Sequence, residues 1–150
     1  GLQAEGAALP LDPQYPEQRL RYLLEDSGVR LLLSGAAVQP RLPLAAGVEV
    51  LWRDQAQAWA PASEVPAPWP GVAAGNLAYS IYTSGSTGAA KGVTISHGAL
   101  ANYVQAIILR LPLVAARTMA VVSTIAADLG HTTLFGSLCS GSCLHVIDLD

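Results

Sequence analysis

Residues 82–92, Tyr82-Thr83-Ser84-Gly85-Ser86-Thr87-Gly88-Ala89-Ala90-Lys91-Gly92, hold the side chains best suited to chemistry. Hydroxyl residues and glycines crowd a short segment that follows an apolar run and ends near a lysine. Glycine lets the backbone take φ > 0 and brings peptide N–H groups close to a ligand. Ser and Thr hydroxyls add donors, and Lys91 adds a positive charge. Such a loop can wrap a polyphosphate such as the tail of ATP. On composition alone a flexible Gly/Ser surface turn fits as well; the residue order and the flanking strands favour phosphate. It is not a Walker A loop, which needs glycine directly before the lysine and Ser or Thr directly after it. Here Ala90 precedes Lys91 and Gly92 follows.

Asp128 is a second candidate, the only carboxylate between Glu64 and Asp148. It falls between an apolar strand expected at Met119–Val122 and a short helix expected from about His131 to Ser140. A lone aspartate at such a junction is ordinarily a helix N-cap or a turn former. The other reactive side chains offer less. Cys139 and Cys143, without a third or fourth partner, make poor zinc ligands and are expected as core thiols. His97, His131 and His145 show no metal-binding spacing and are expected to cap, pack or face solvent.

The elements that must position these residues alternate between short apolar runs and helical patterns. Pro16–Asp26 is expected to be a helix: Pro16 suits the first turn, Glu17 the positive end of the dipole, and Gly28 the C-terminal stop. Leu20, Leu23 and Leu24 form an apolar stripe, and Glu17 can pair with Arg21 one turn on. Strands are expected at Val29–Leu33, Val48–Trp52, Leu77–Tyr82, Val93–Ser96, Met119–Val122 and Cys143–Ile147, with a helix over Gly98–Leu109. This order predicts an α/β fold with a mostly parallel sheet flanked by helices. Arg53–Gly75, rich in Ala and Pro, is expected to be a surface connection.

With 150 residues, the length suits one domain. A net charge of −3 with 13% charged residues gives no basic patch for nucleic acid. Tyr103–Val122 does not read as a membrane span: nine Leu, Ile and Val residues contribute about −3 to −5 kcal/mol, Arg110 and Arg117 cost about 5–7, and Pro112 breaks the helix. The start, Gly1-Leu2-Gln3-Ala4-Glu5, carries no basic n-region, and a cytoplasmic location is expected.

The loop, with the strand before it, resembles the phosphate-binding signature of the acyl-adenylate-forming superfamily, which includes acyl-CoA ligases, luciferases and amino-acid adenylation domains. A proline usually stands where Ala90 does. The segment from Leu9-Pro10-Leu11-Asp12-Pro13 to Glu25-Asp26-Ser27-Gly28 is similar, residue for residue, to the motif upstream of that loop in nonribosomal peptide synthetase adenylation domains. Ser123–Leu138, aligned on Leu134-Phe135-Gly136, is similar to a third motif of those domains. There Asp128 falls where the family holds the aspartate that pairs with the substrate's α-ammonium. An ammonium taken out of water needs such a counter-charge, and leaving one unpaired costs about 3–5 kcal/mol. An aromatic residue usually stands at Ala127, and often a serine at Gly130.

The resemblance implies that the chain is part of the large N-terminal subdomain, a partial adenylation (AMP-binding) domain incomplete at both ends. It implies adenylation of an amino acid by ATP and transfer to the phosphopantetheine thiol of a peptidyl carrier domain, with condensation domains in the same assembly line. Thr83, Ser84, Gly85, Ser86, Thr87, Gly88 and Lys91 would bind the triphosphate, with Thr83 and Lys91 also acting in catalysis. Leu129 and Thr132 would line the side-chain pocket, a pair that leans toward Asp- or Asn-like substrates. No metal ligand is expected within the chain; the residue for Mg2+ would lie beyond residue 150. An acyl- or aryl-CoA ligase would share the loop but lack both the Leu11-Asp12-Pro13 segment and Asp128, and a scaffold domain without catalysis would explain Ala90, Ala127 and Gly130. These 150 residues alone are expected not to catalyse adenylation; amino-acid-dependent ATP–pyrophosphate exchange by the isolated chain would overturn that.

Overall fold

Asp12 turns the chain before the first helix. The Gln14 N–H donates to Asp12 Oδ1 at 2.9 Å and the Tyr15 N–H to the Asp12 carbonyl at 3.1 Å. In this computed structural model, which describes residues 6–44, 46–58, 71–84, 90–111 and 117–147, the turn leads into α1 (Glu17–Ser27). Pro16 is its N-cap, and Gly28 ends it in the left-handed region at φ 61°. Leu20, Leu23 and Leu24 are buried, as their spacing requires. Arg21 donates to Glu17 at 2.9 Å on the exposed side, which is worth a few tenths of a kcal/mol. β1 (Leu31–Ser34) and β2 (Glu49–Trp52) pair in parallel from Leu31–Glu49 to Ser34–Trp52. Asp54, in the 3-10 turn after β2, accepts the Ala36 N–H at 2.6 Å and so joins the two strand ends.

These elements belong to one compact unit, Leu11–Pro68; the candidate site lies in the other, Gly1–Pro10 with Trp69–Asp150. There β3 (Leu77–Thr83) and β4 (Lys91–Ser96) form an antiparallel hairpin. Ala8 lies along the other edge of β3, donating to Ala78 O at 3.0 Å and accepting from Ser80 N at 2.9 Å. α2 (His97–Arg110) follows β4 directly. Its first N–H groups, which no helix can satisfy internally, all find partners. His97 N donates to Asn76 O, Gly98 N to Ala74 O, and Ala99 N to the Ser96 hydroxyl. β5 (Thr118–Val121), α3 (Asp128–Ser140) and β6 (Cys143–Val146) complete the unit, with β5 and β6 parallel and α3 packed on both and on α2. Its core is Ala78, Leu100 and Val104, with Tyr79, Ile95, Ile108 and Phe135 packed around them.

The α/β class stands, and among the described residues two of the three ladders are parallel. Three expectations change. The β3–β4 ladder is antiparallel, because a loop of seven residues can return a chain only alongside itself. α3 begins at Asp128, three residues before the expected His131. Cys139 and Cys143 are free and exposed rather than core thiols. Among the described residues no helix is long and apolar enough to cross a membrane.

Gly92 lies under the ring of its cross-strand partner Tyr82, and a Cβ there would sit 3.2 Å from Tyr82 Cζ. Gly92→Val is expected to lower stability by about 1–3 kcal/mol through overpacking. Gly28→Ala should lose roughly 1–2 kcal/mol for a different reason, the left-handed backbone. Urea unfolding of the protein carrying each change measures both; a Gly92→Val midpoint equal to wild type would mean that Tyr82 moves aside freely.

Candidate functional site

The last rung of the β3–β4 ladder pairs Thr83 with Lys91, so both residues stand at the mouth of the connecting loop. Directly opposed residues have Cβ atoms about 4.5–5.5 Å apart. Thr83, Ser84 and Lys91 are all exposed there. Gly85, Ser86, Thr87 and Gly88 lie outside the described residues. Alternation along the strand puts Tyr79, Ile81 and Thr83 on one face, with their partners Ile95, Val93 and Lys91. The Tyr79–Ile95 end of this face lines a cleft of about 470 Å³. The Thr83–Lys91 end lies about 13 Å away, four residues at about 3.3 Å each.

Across the cleft stands the first turn of α3, bringing Asp128, Leu129, His131 and Thr132 into its wall; α2 adds Leu100 and Tyr103. All three substrate-side residues expected from the sequence are therefore gathered in one place. Asp128 is not the N-cap. That position belongs to Ala127 (φ −115°, ψ 157°), and Asp128 is the first residue of the helix proper. Its carboxylate makes no hydrogen bond or ion pair among the described residues, and it is the one acidic side chain of the cleft. A carboxylate in a helix's first turn is favoured by the dipole, by about 0.3–1 kcal/mol at an exposed site. Leu129 is 72% exposed. The Thr132 hydroxyl shares a 2.5 Å hydrogen bond with Tyr103 OH.

Sequence reasoning missed Tyr79, Tyr103 and the cleft-lining position of His131. Tyr79 was within reach, since it shares strand parity with Thr83; Tyr103 depends on how α2 crosses α3, which no local pattern encodes. His131 is buried, with its ring edge-on to Tyr79 at 4.4 Å between centroids. Burial, then Tyr103 and Asp128 nearby, raise the Tyr79 hydroxyl above the ordinary tyrosine value of 10.0. Among the described residues no group of three or more His, Cys, Asp or Glu could hold a metal ion, and none is assigned to Mg2+.

Over residues 1–150 the chain matches the family described as AMP-binding enzyme. It belongs to that family. This AMP-binding chain is 39% identical over 158 residues to tyrocidine synthase 3 of Brevibacillus parabrevis, across 97% of its own length and 2% of the relative's. To surfactin synthase subunit 2 of Bacillus subtilis it is 37% identical over 153 residues, across 98% and 4%. It resembles the crystal structure of the nonribosomal peptide synthetase FmoA3 in its AMPPNP-bound form, with a TM-score of 0.81 and 32% identity over 97% of this chain and 15% of that one. FmoA3 has also been crystallised with alpha-methyl-L-serine-AMP bound. The chain thus spans a few per cent of the curated relatives it matches.

The raised Tyr79 value has a consequence at high pH. Below pH 10 the hydroxyl is neutral whether the chain is folded or not; above it the unfolded chain loses the proton first, so stability falls as pH rises through that range. Unfolding measured between pH 9 and pH 11 is expected to show a smaller fall in Tyr79→Phe than in wild type. Equal slopes would remove Tyr79 from the account.

Proposed function

We propose that the protein carrying this AMP-binding chain adenylates an amino acid, and that the chain is part of its larger adenylation domain. The substrate carboxylate attacks the α-phosphorus of ATP, an aminoacyl adenylate forms and pyrophosphate leaves. The observation that carries the reading is Asp128, a carboxylate with no partner among the described residues, set in the wall of a cleft that shares its strand face with Thr83 and Lys91. An α-ammonium entering that cleft finds its counter-charge there. Thr83, Ser84 and the loop residues Gly85, Ser86, Thr87 and Gly88 hold the triphosphate by hydroxyl and backbone donors, and Lys91 adds charge. The nucleotide bound to FmoA3, and the aminoacyl adenylate bound in its other form, support both halves of the assignment.

Leu129 and Thr132 face the substrate side chain. The Tyr103 and Thr132 hydroxyls share one hydrogen bond and so keep one O–H free. That spare donor suits an Asp- or Asn-like side chain. The adenylate then passes its aminoacyl group to the phosphopantetheine thiol of a carrier domain for use by a condensation domain, in the cytoplasm, as in an assembly line of the tyrocidine or surfactin synthase kind. Mg2+ accompanies the ATP on residues outside this chain. The relatives named above are peptide synthetases, which speaks against an acyl-CoA ligase.

ATP–pyrophosphate exchange by the full-length protein against a panel of amino acids tests this. Asp128→Ala should raise the amino-acid KM and lower kcat/KM by about 10²–10³, a loss of about 2–4 kcal/mol, with the ATP KM unchanged. Lys91→Ala should act on ATP instead. An amino-acid KM untouched by Asp128→Ala would leave the residue with a helix-terminal role only.

A further inference from the structure

Asp128 is exposed and has no side-chain bond of its own among the described residues, so what the fold sets is the place of the backbone that carries it. Two neighbours govern that backbone. His131 Nε2 lies 2.8 Å from the Ile125 carbonyl oxygen. A carbonyl only accepts, so the imidazole donates from Nε2, closing the segment 125–131 into a loop with Asp128 inside it. The ring cannot swing away. It stands edge-on to Tyr79 at 4.4 Å and to Phe135 at 5.5 Å, and those two rings stack on each other at 5.8 Å. Gly130 meets the same segment one residue earlier. A Cβ there would sit 3.1 Å from the Thr124 carbonyl oxygen and 3.4 Å from the Ser123 hydroxyl. The histidine draws the first turn of α3 onto residues 123–125, and the glycine is what lets it come so close.

Packing alone does not account for an imidazole here. His131 is 6% exposed, and its Nδ1 is buried without a hydrogen-bond partner among the described residues. A buried polar atom left unpaired is costly, and an aliphatic side chain would fill the space without that cost. What the imidazole supplies is the bond to Ile125.

We propose that His131, with Gly130 as its steric partner, is a positioning residue that aims Asp128 at the substrate ammonium. This rests on the reading of Asp128 given above. The His131 clamp leaves the nucleotide alone and acts on one substrate group.

The test is ATP–pyrophosphate exchange by the full-length protein with its amino acid and with the same acid lacking the α-amine. Wild type should prefer the amino acid. His131→Leu should raise the amino-acid KM by about tenfold or more, with the ATP KM within about twofold and the des-amino acid unaffected. His131→Gln, which keeps an N–H donor at similar reach, should recover most of the loss. A penalty shared equally by both acids, or a preference unchanged in His131→Leu, would overturn the proposal while leaving Asp128 its role. If His131→Leu does not fold, Gly130→Ala carries the test, with the same selective loss expected and its absence equally fatal. A wild-type enzyme that treats both acids alike sinks the reading of Asp128 and the proposal together.

Discussion

The register of β3 against β4 is the constraint on which the site depends. Side chains alternate across a strand, so a slip of one residue would carry a whole row to the opposite face. In the observed register Thr83 meets Lys91 at the loop and Tyr79 meets Ile95 at the cleft. Three things hold it. Ala8 hydrogen-bonds the outer edge of β3 on both sides of Tyr79. Gly92 leaves room for the Tyr82 ring, which a Cβ at that rung would meet at 3.2 Å. Ser96 ends β4 and caps α2, so the strand's register also fixes where the helix begins and hence where Tyr103 points. The hydrogen bonds of one hairpin thus place both ends of the site.

The two ends of the site stand apart along the strand face. About 13 Å of strand separates the Lys91 rung from the rung that lines the cleft. Among the described residues neither Lys91 nor Asp128 forms an ion pair. The carboxylate is exposed to water, and the α3 dipole favours it by a little more. The proposed ligand, with an ammonium at one end and phosphates at the other, would bring opposite charge to each.

Much of this was legible from the chain. The Leu20, Leu23 and Leu24 stripe, Gly28 as the stop and the Glu17–Arg21 pair all follow from local periodicity, and the structure has each of them. Thr83, Lys91 and Asp128 stood out by residue type and surroundings. What stayed hidden depends on contacts distant in sequence or on rules that local propensity overrides. The start of α3 was read too late because Asp128 looks like a turn residue; local propensity is overridden there by a bond from His131 to Ile125, six residues back, and by the close approach of Gly130 to Thr124. The antiparallel hairpin was masked by the α/β alternation around it. His131 looked like an ordinary packing histidine, and its burial agrees, but its aromatic neighbours come from β3 and from one turn on in α3.

The departures from the family pattern also bear on whether this is a working site or a scaffold that has lost its chemistry. Glycine is about 1 kcal/mol worse than alanine inside a helix, so Gly130 in the first turn of α3 needs a reason. The structure supplies one: alanine would press its Cβ against the Thr124 carbonyl. Ala127, where an aromatic residue usually stands, is the N-cap, with extended backbone and no side-chain cap bond. Aromatic contact on this helix comes instead from Tyr79, His131 and Phe135. Two of the three departures thus have physical counterparts close by, and both lie beside the one acidic group of the cleft. Under the proposed function, the close helix start places Asp128 and the open cleft leaves its carboxylate to the ammonium.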